Sequence, residues 1–176
     1  MTARWGSIET ERLLLRPWRE DDLERFALME ADEETMRYLG RDGRPVDRAE
    51  SWRAMAMFIG HLHLRGYTMW AVEEKSSGDF IGRVGPWKPE GWPDLEIGWA
   101  IERSRWGRGY ATEAARAAAR WVHHELGADH VVHFIQEENA RSICVAEKLG
   151  ARLDGTFKLF GTIDVLVYRT DLPVEP

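Results

Sequence analysis

Short apolar runs alternate along the chain with longer amphipathic stretches. The first run, residues 12–16, ends at Pro17 and predicts a strand that leaves the sheet before a turn. Segments that begin near Asp21–Asp22 and Asp47 carry apolar residues at spacings of three and four, which predicts two helices before most of the sheet. On the second helix, 47–64, this spacing predicts one buried face made of Trp52, Met55, Ile59 and Leu62.

The rest of the pattern predicts two hairpins around a strand-helix-strand unit. Residues 67–73 and 80–87 flank a turn-forming KSSGD segment, and 152–159 with 163–170 form the final hairpin. Strand 95–101, the alanine-rich helix 110–126 and strand 131–135 predict a right-handed crossover with parallel strands, and a short helix follows from Asn139 to Gly150. The sequence therefore predicts one α/β (α+β) domain over residues 1–176, with a mixed sheet of six or seven strands flanked by helices.

Composition narrows the classes of function. The 176 residues carry a formal net charge of -6, which argues against general nucleic-acid binding. Cys144 is the single cysteine, and the first residues lack the apolar stretch of a signal peptide. No apolar run approaches the roughly 18 residues that span a bilayer. We therefore expect a cytoplasmic protein without a membrane segment.

Residues 102–113, ERSRWGRGYATE, carry the most informative chemistry. A predicted strand ends, Gly107 and Gly109 follow, and a long helix begins, which favours an anion site built from unpaired backbone N–H groups. Three arginines, at 103, 105 and 108, concentrate positive charge there, and we expect Arg105 and Arg108 to contact phosphate. The alternative is a tight turn with solvated arginines.

Two other phosphate-binding folds were weighed against this pattern. No G-x-x-x-x-G-K-[ST] sequence occurs, which excludes a P-loop. A dinucleotide fold places glycines between a strand and a helix, and Glu137 follows the next strand, but Thr112 replaces the third glycine. The residues after 135 also provide too few strand-helix units for that fold.

The chain resembles the GNAT superfamily of acetyltransferases, and within it the Rim-type branch named for N-terminal acetylation of ribosomal proteins. The resemblance rests on TERLLLRPWREDDLERF, FIGRVG, EIGWAI, WGRGYATEA and ENARSICVAEKLGA, in the order of the family. It implies acetyl-coenzyme A as co-substrate and no metal. It assigns the pyrophosphate to the backbone of Trp106, Gly107, Arg108, Gly109, Tyr110 and Ala111, the pantetheine arm to Trp99, Ala100 and Ile101, and the thiol end to Asn139 and Ser142.

Acetyl transfer to an amine requires a base, an oxyanion donor and a proton for sulfur. The resemblance implies a bulged, splayed strand, so we expect the oxyanion donor to be a backbone N–H near Trp99 or Ala100. Glu96 is the expected base, because burial between tryptophans raises a carboxyl pKa, although it is also interpretable as an outward-facing strand residue. His133 and Glu137 are alternative bases.

The proton donor departs from the pattern of the superfamily. Many relatives carry a tyrosine just before the E-K-L-G-like segment, where this chain has Ala146. Ser142 is the expected substitute, acting directly or through water, although Ser142 and Asn139 are equally interpretable as partners in a helix cap. A lone cysteine beside Ile143 is typical of a packed, inert residue, so direct transfer is preferred over an acetyl-Cys144 intermediate.

The acceptor and partners are less determined. Residues 41–52, 87–92 and 157–163 are the expected acceptor segments, and the acceptor is a peptide N-terminus or a small amine such as a polyamine, amino acid or aminoglycoside. The His61–His63 and His123–His124 pairs lie on predicted helices at spacings that turn the side chains apart, so no metal is expected. A non-catalytic acyl-coenzyme A sensor is the alternative function, and homodimerisation is a further expectation.

Overall fold

A computed structural model describes residues 5–174, in which eight strands form one sheet with the order β1-β2-β3-β4-β5-β6-β8-β7. All neighbouring strands are antiparallel except β5 and β6. The elements are β1 Ile8–Glu9, β2 Leu13–Arg16, α1 Asp22–Glu30, α2 Glu33–Met36, α3 Arg48–Arg65, β3 Trp70–Glu74, β4 Asp79–Trp87, β5 Glu96–Ile101, α4 Tyr110–Trp121, β6 His130–Ile135, α5 Ala140–Lys148, β7 Arg152–Leu159 and β8 Ile163–Asp171.

The mixed sheet agrees with the predicted fold class, but it has eight strands where six or seven were predicted. The additional strand is β1, which contains only Ile8 and Glu9 and pairs with the end of β2. Two residues are too few to produce a recognisable alternation of apolar and polar positions. The pattern of the sequence therefore did not reveal it.

Helices cover both faces of the sheet because successive strand residues point to opposite faces. Trp70 and Val72 of β3 pack in the core that the alanines of α4 complete. Ala71 lies on the other face, where it packs with Phe26 of α1 and Phe58 of α3. The small side chains of α4 let this helix lie close to the strands that precede the candidate site.

The buried face of α3 differs from the predicted one. Trp52 and Ile59 are exposed, and Met55 is the one fully buried member of the predicted set. Asp47 closes a capping box that fixes the start of the helix, and α3 packs on α1 through residues one position away from the predicted stripe. The buried residues are Ser51, Met55, Phe58 and His61.

Strands β5 and β6 separate soon after they meet. Their ladder contains the single pair Glu96 and Val132, and the Val132 N–H donates to the carbonyl of Leu95 at 3.0 Å. The register between β4 and β5 is uninterrupted, so the bulge expected near Trp99 is absent there and the opening comes from splay alone. The only interruption near these strands lies between Val72 and Glu73 of β3.

Candidate functional site

The loop between β5 and α4 presents a row of free backbone donors. Gly107 and Gly109 adopt φ values of 76° and 80°, and Gly109 is the N-cap of α4. Within residues 5–174 the N–H groups of positions 107–112 have no protein acceptor, while the loop itself is exposed. Such donors at a helix N-terminus can bind phosphate oxygens.

Side chains beneath this loop hold its backbone in place. Glu74 of β3 accepts hydrogen bonds from Tyr110 Oη at 2.5 Å and from Arg105 Nε at 3.1 Å, and these contacts lower the pKa of Glu74, with the Tyr110 bond contributing most. Arg12 donates to the carbonyl of Arg108 at 2.8 Å and forms a 2.7 Å ion pair with Glu113. The loop is thus fixed to β2 and β3 from one side, and its N–H groups remain open on the other.

The three arginines of the loop have different surroundings. Arg105 is engaged with Glu74 and Asp79, and only 19% of its side chain is exposed. This placement disfavours the predicted contact of Arg105 with phosphate. Sequence spacing could not indicate these ion pairs, because both carboxylates lie on the distant β3–β4 hairpin. Arg103 pairs with Asp32 at 3.4 Å. Arg108 is exposed without a carboxylate partner in the described chain, as a phosphate contact requires.

The splayed edge of β5 supplies a second set of open peptide groups. The carbonyls of Leu95 and Ile97 point toward β6, so the alternation of a strand directs the peptide groups of Trp99 the same way. No β6 residue pairs with Trp99. The peptide of Ala100 faces β4 instead, where it pairs with Arg83, and Trp106 Nε1 already donates to the carbonyl of Ile101 at 2.7 Å. Among these three positions of the described chain, Trp99 is therefore the one whose N–H and carbonyl both face the open edge without a protein partner.

A cleft of about 330 Å³ opens beside this edge. Segments 87–92 and 157–163 contribute to it as predicted, whereas residues 41–52 do not, and their place is taken by residues 38–40 and by Met57 and Phe58 of α3. Among the described residues, 5–174, the lining carries a formal charge at Arg83 and Glu96 alone. Its aromatic lining consists of Tyr38, Phe58, Trp87, Trp92, Trp99, Phe134 and Phe160.

Glu96 faces this cleft. Trp92 Nε1 donates a 2.9 Å hydrogen bond to Glu96 Oε2. Burial raises the pKa of Glu96 from 4.5 to about 7, against the opposing effects of the Trp92 hydrogen bond, the charge of Arg83 and the backbone N–H of Phe134. A carboxyl group with this pKa exchanges protons readily near neutral pH, as general base chemistry requires.

The two alternative bases are less suitable. His133 is 1% exposed, with Nδ1 at 2.8 Å from the carbonyl of Ile97 and Nε2 at 3.0 Å from Thr170 Oγ1. Because a carbonyl only accepts, Nδ1 carries the proton and Nε2 accepts from the threonine, which leaves no free lone pair. Burial lowers the pKa of His133 to about 4. Glu137 is exposed and lies outside the lining of the cleft.

Ser142 and Asn139 line the cleft on the side of α5. Asn139 Oδ1 accepts from the Ser142 N–H at 3.2 Å, which makes it the N-cap that the sequence predicted as one interpretation. Ser142 Oγ accepts from Trp99 Nε1 at 3.3 Å, so the hydroxyl proton can point into the cleft. Tyr38 also lines the cleft, where its hydroxyl donates to the carbonyl of Glu138 at 3.3 Å, and no sequence pattern identified it.

Two further residues of α5 clarify the sequence interpretation. Ala146, which stands where relatives carry tyrosine, is fully buried against Ile135 and Tyr168. Cys144 is exposed, so the expectation of a packed cysteine was wrong. The reason is that α5 turns Ala146 and Leu149 toward the core and leaves position 144 facing solvent.

Residues 5–174 contain neither a metal-binding cluster nor a membrane-spanning helix. This range holds no cluster of three or more His, Cys, Asp or Glu side chains arranged as ligands for a metal ion. No helix in the same range combines the length and apolar character needed to cross a bilayer.

Comparisons with known proteins concern the family and the fold of the chain. Residues 12–152 match the acetyltransferase (GNAT) domain. The chain is 31% identical over 158 residues to the uncharacterized protein YkkB of Bacillus subtilis, covering 86% of this chain and 88% of that protein. A crystal structure of an acetyltransferase from Agrobacterium tumefaciens aligns with a TM-score of 0.84 and 28% identity over 96% of this chain and 95% of that one. RimL, a ribosomal L7/L12 alpha-N-protein acetyltransferase in complex with coenzyme A, shares the fold at a TM-score of 0.77 and 20% identity, covering 95% and 98%.

Proposed function

Since the chain belongs to the acetyltransferase (GNAT) domain family, we propose that it transfers an acetyl group from acetyl-coenzyme A directly to a primary amine in a ternary complex. The observation that carries this proposal is Glu96, a carboxyl with a pKa of about 7, in an aromatic cleft beside the open edge of β5. An amine that enters the cleft meets a proton acceptor next to the strand that the family uses for its co-substrate.

The residues present fit acetyl-coenzyme A. The free N–H groups of positions 107–112 suit its pyrophosphate, with Arg108 as the available cation, and the carbonyl of Trp99 suits an amide N–H of its pantetheine arm. When bound, the co-substrate supplies a thioester whose acetyl carbon is open to attack by an amine. Asn139 and Ser142 border the same cleft and would lie near its sulfur end.

Three groups of the chain act in the reaction: one accepts a proton, one stabilises negative charge and one donates a proton. Glu96 accepts the excess proton of the amine as the new N–C bond forms and the C–S bond breaks. The N–H of Trp99 donates to the acetyl oxygen while that oxygen carries negative charge. Ser142, directly or through a water, returns a proton to the departing sulfur, in place of the tyrosine that Ala146 replaces.

A second candidate is an acyl-coenzyme A sensor without catalysis. The buried Ala146 favours it, because the position of the usual acid offers no polar group. Acetyl-coenzyme A binding without thiol release in the presence of any amine would support the sensor and contradict the enzyme.

Release of free thiol from acetyl-coenzyme A tests the proposal with N-terminal peptides and small amines as acceptors. We expect turnover by the unmodified protein and a loss of at least about 100-fold in Glu96→Gln, which keeps the shape but removes the base. Glu137→Gln is the matched control, because it makes the same change at an exposed carboxyl outside the cleft. Equal turnover by both variants would refute the role of Glu96.

A further inference from the structure

Arg83 of β4 carries a charge that the described protein does not neutralise. No carboxylate of residues 5–174 lies within the 4.0 Å ion-pair distance of its guanidinium. Its Nε is buried without a hydrogen-bond partner, and Nη1 reaches only the thioether sulfur of Met69, at 2.8 Å. The guanidinium also lies 5.1 Å above the ring of Phe58. The side chain of Arg83 is partly buried, and a cation held away from water without a partner is costly, so the arrangement favours a bound anion.

The two nearest carboxyl groups compensate this charge only weakly. Glu30 and Glu96 interact with Arg83 through space without contact, and burial raises the pKa of both. Each carboxyl therefore keeps its proton up to a higher pH than an ordinary glutamate does. Arg83 keeps its own proton, since a guanidinium stays charged in proteins. The floor of the cleft accordingly has a site for an anion.

Arg83 and Glu96 lie on the same face of the sheet with a pair of glycines between them. Arg83 pairs with Ala100, Glu96 pairs with Trp87, and Gly85 pairs with Gly98 midway between these two pairs. Four residues of a strand span about 13 Å, and the charge of Arg83 lowers the pKa of Glu96 through the space between them. Glu96 Oε1 already leans over Gly98, at 3.5 Å from where a Cβ would be. Met69 Cε lies over the same glycine, at 2.7 Å from that Cβ position, so a small molecule that displaces the Met69 side chain can contact both ends at once.

Resting on the proposed function, we propose that Arg83 binds a carboxylate of the acceptor, which makes the acceptor a small amino acid-like amine with an apolar side chain. The amine lies at Glu96 and the carboxylate at Arg83, where it displaces the weakly accepting thioether of Met69. The apolar side chain packs on Trp92, which contacts Phe134 and Phe160 at ring-centroid distances of 6.0 and 5.6 Å. A polyamine or aminoglycoside would instead need several acids, and Glu96 is the only acid that the described part of the chain places in the lining.

Acceptors that differ only in the carboxylate test this assignment. We expect L-phenylalanine to have a kcat/KM at least about tenfold above 2-phenylethylamine, since only the amino acid offers a carboxylate that can form a charge-assisted hydrogen bond with Arg83. L-phenylalaninamide represents a peptide N-terminus, with a neutral carbonyl in place of the carboxylate. Arg83→Gln should remove the preference for L-phenylalanine, and Arg83→Lys should keep part of it. Any effect of Arg83 on the pKa of Glu96 acts on every amine and cancels in the ratio.

Arg41→Gln is the matched control. Arg41 lies 4.9 Å from the ring of Phe160 at the same cleft, so it tests whether general positive charge produces the preference. We expect Arg41→Gln to keep the preference and Arg83→Gln to lose it. Equal loss in both variants, or equal use of the amide and the acid by the unmodified protein, would overturn the assignment.

A binding measurement separates this inference from the proposed activity. Calorimetry with 3-phenylpropanoate, which has no amine to acetylate, should show binding that weakens at least about tenfold in Arg83→Gln, and 3-phenylpropanol should bind both proteins weakly. Binding of the acid through Arg83 without acetyl transfer to any amine would support the anion site and contradict the enzyme. Acetyl transfer to amines that does not depend on a carboxylate in the acceptor would support the enzyme and contradict the anion site. Circular dichroism of each variant verifies that it is folded.

Discussion

The hydrogen bond between Trp92 and Glu96 offers a direct test of the proposed base. Glu96 acts only when deprotonated, so kcat/KM should rise with pH through its pKa of about 7. Trp92 Nε1 donates to Glu96 Oε2 at 2.9 Å and stabilises the ionised form. Trp92→Phe removes this donor, keeps an aromatic ring in the cleft, and should move the pKa of Glu96 upward.

The size of the shift follows from the energy of that bond. A hydrogen bond to a charged group contributes about 1.5–3 kcal/mol, and one pKa unit corresponds to about 1.4 kcal/mol. Glu96 is half-buried at the floor of an open cleft, so water can replace part of the lost interaction. We therefore take the lower end and expect the acidic limb of the pH profile to move up by about one unit.

The assay is thiol release at a single acceptor, measured as kcat/KM from pH 5 to 9 in buffers of constant ionic strength. Use of one acceptor keeps the titration of the amine identical in every protein. Trp87→Phe is the matched control, because Trp87 lines the same cleft and makes no hydrogen bond to Glu96. We expect the limb of Trp87→Phe to coincide with that of the unmodified protein.

Two results would refute this reasoning. An unmoved limb in Trp92→Phe would mean that the hydrogen bond does not govern the group that titrates. A limb that persists in the residual activity of Glu96→Gln would assign the titration to another group.

Three other predictions concern stability and the loop of α4. Folding raises the pKa of Glu96 from 4.5 to about 7, so the unmodified protein loses stability as the pH rises through that window. Glu96→Gln does not titrate, so its free energy of unfolding, measured in urea between pH 4 and 8, should rise relative to that of the unmodified protein by up to about 3 kcal/mol. Gly107→Ala and Gly127→Ala impose similar strain at φ values of 76° and 67°, but only the first should raise the KM for acetyl-coenzyme A, by about tenfold or more; equal KM values would contradict the loop assignment. Gly82→Ala should prevent folding, since its Cβ would lie 2.2 Å from a carbonyl oxygen of β5, whereas Gly60→Ala, in open space within α3, should stabilise by about 1 kcal/mol in thermal unfolding.

Periodicity predicted most of the fold because long elements repeat their pattern many times. Seven strands and the long helices lie within a few residues of their predicted bounds. The two-residue β1 has no pattern to repeat, and the one-position error on α3 arose because Trp52 and Ile59 are large and apolar yet exposed. Hydrophobicity identifies a helix more reliably than it identifies which neighbouring stripe meets the partner helix.

The candidate site was predictable where chemistry is local in sequence. The glycine loop and the contact of Trp92 with Glu96 involve residues close together in the chain. The ion pairs of Arg105 depend on Glu74 and Asp79, which a distant hairpin brings close, so sequence spacing carried no sign of them. Arg83 was overlooked, although a cation flanked by glycines inside the apolar run FIGRVG was a detectable signal.

The separation of β5 from β6 has a mechanical consequence. Strands β1–β5 lie on one side of the gap and β6–β8 on the other, and one backbone residue pair joins the two groups. Where this ladder ends, the imidazole of His133 forms a hydrogen bond with the Ile97 carbonyl. An extended molecule that pairs with Trp99 would act as a ninth, non-peptide strand and tie these two parts together. Amides of β6 and β8, far from the loop of α4, should then exchange with deuterium more slowly when the co-substrate is bound.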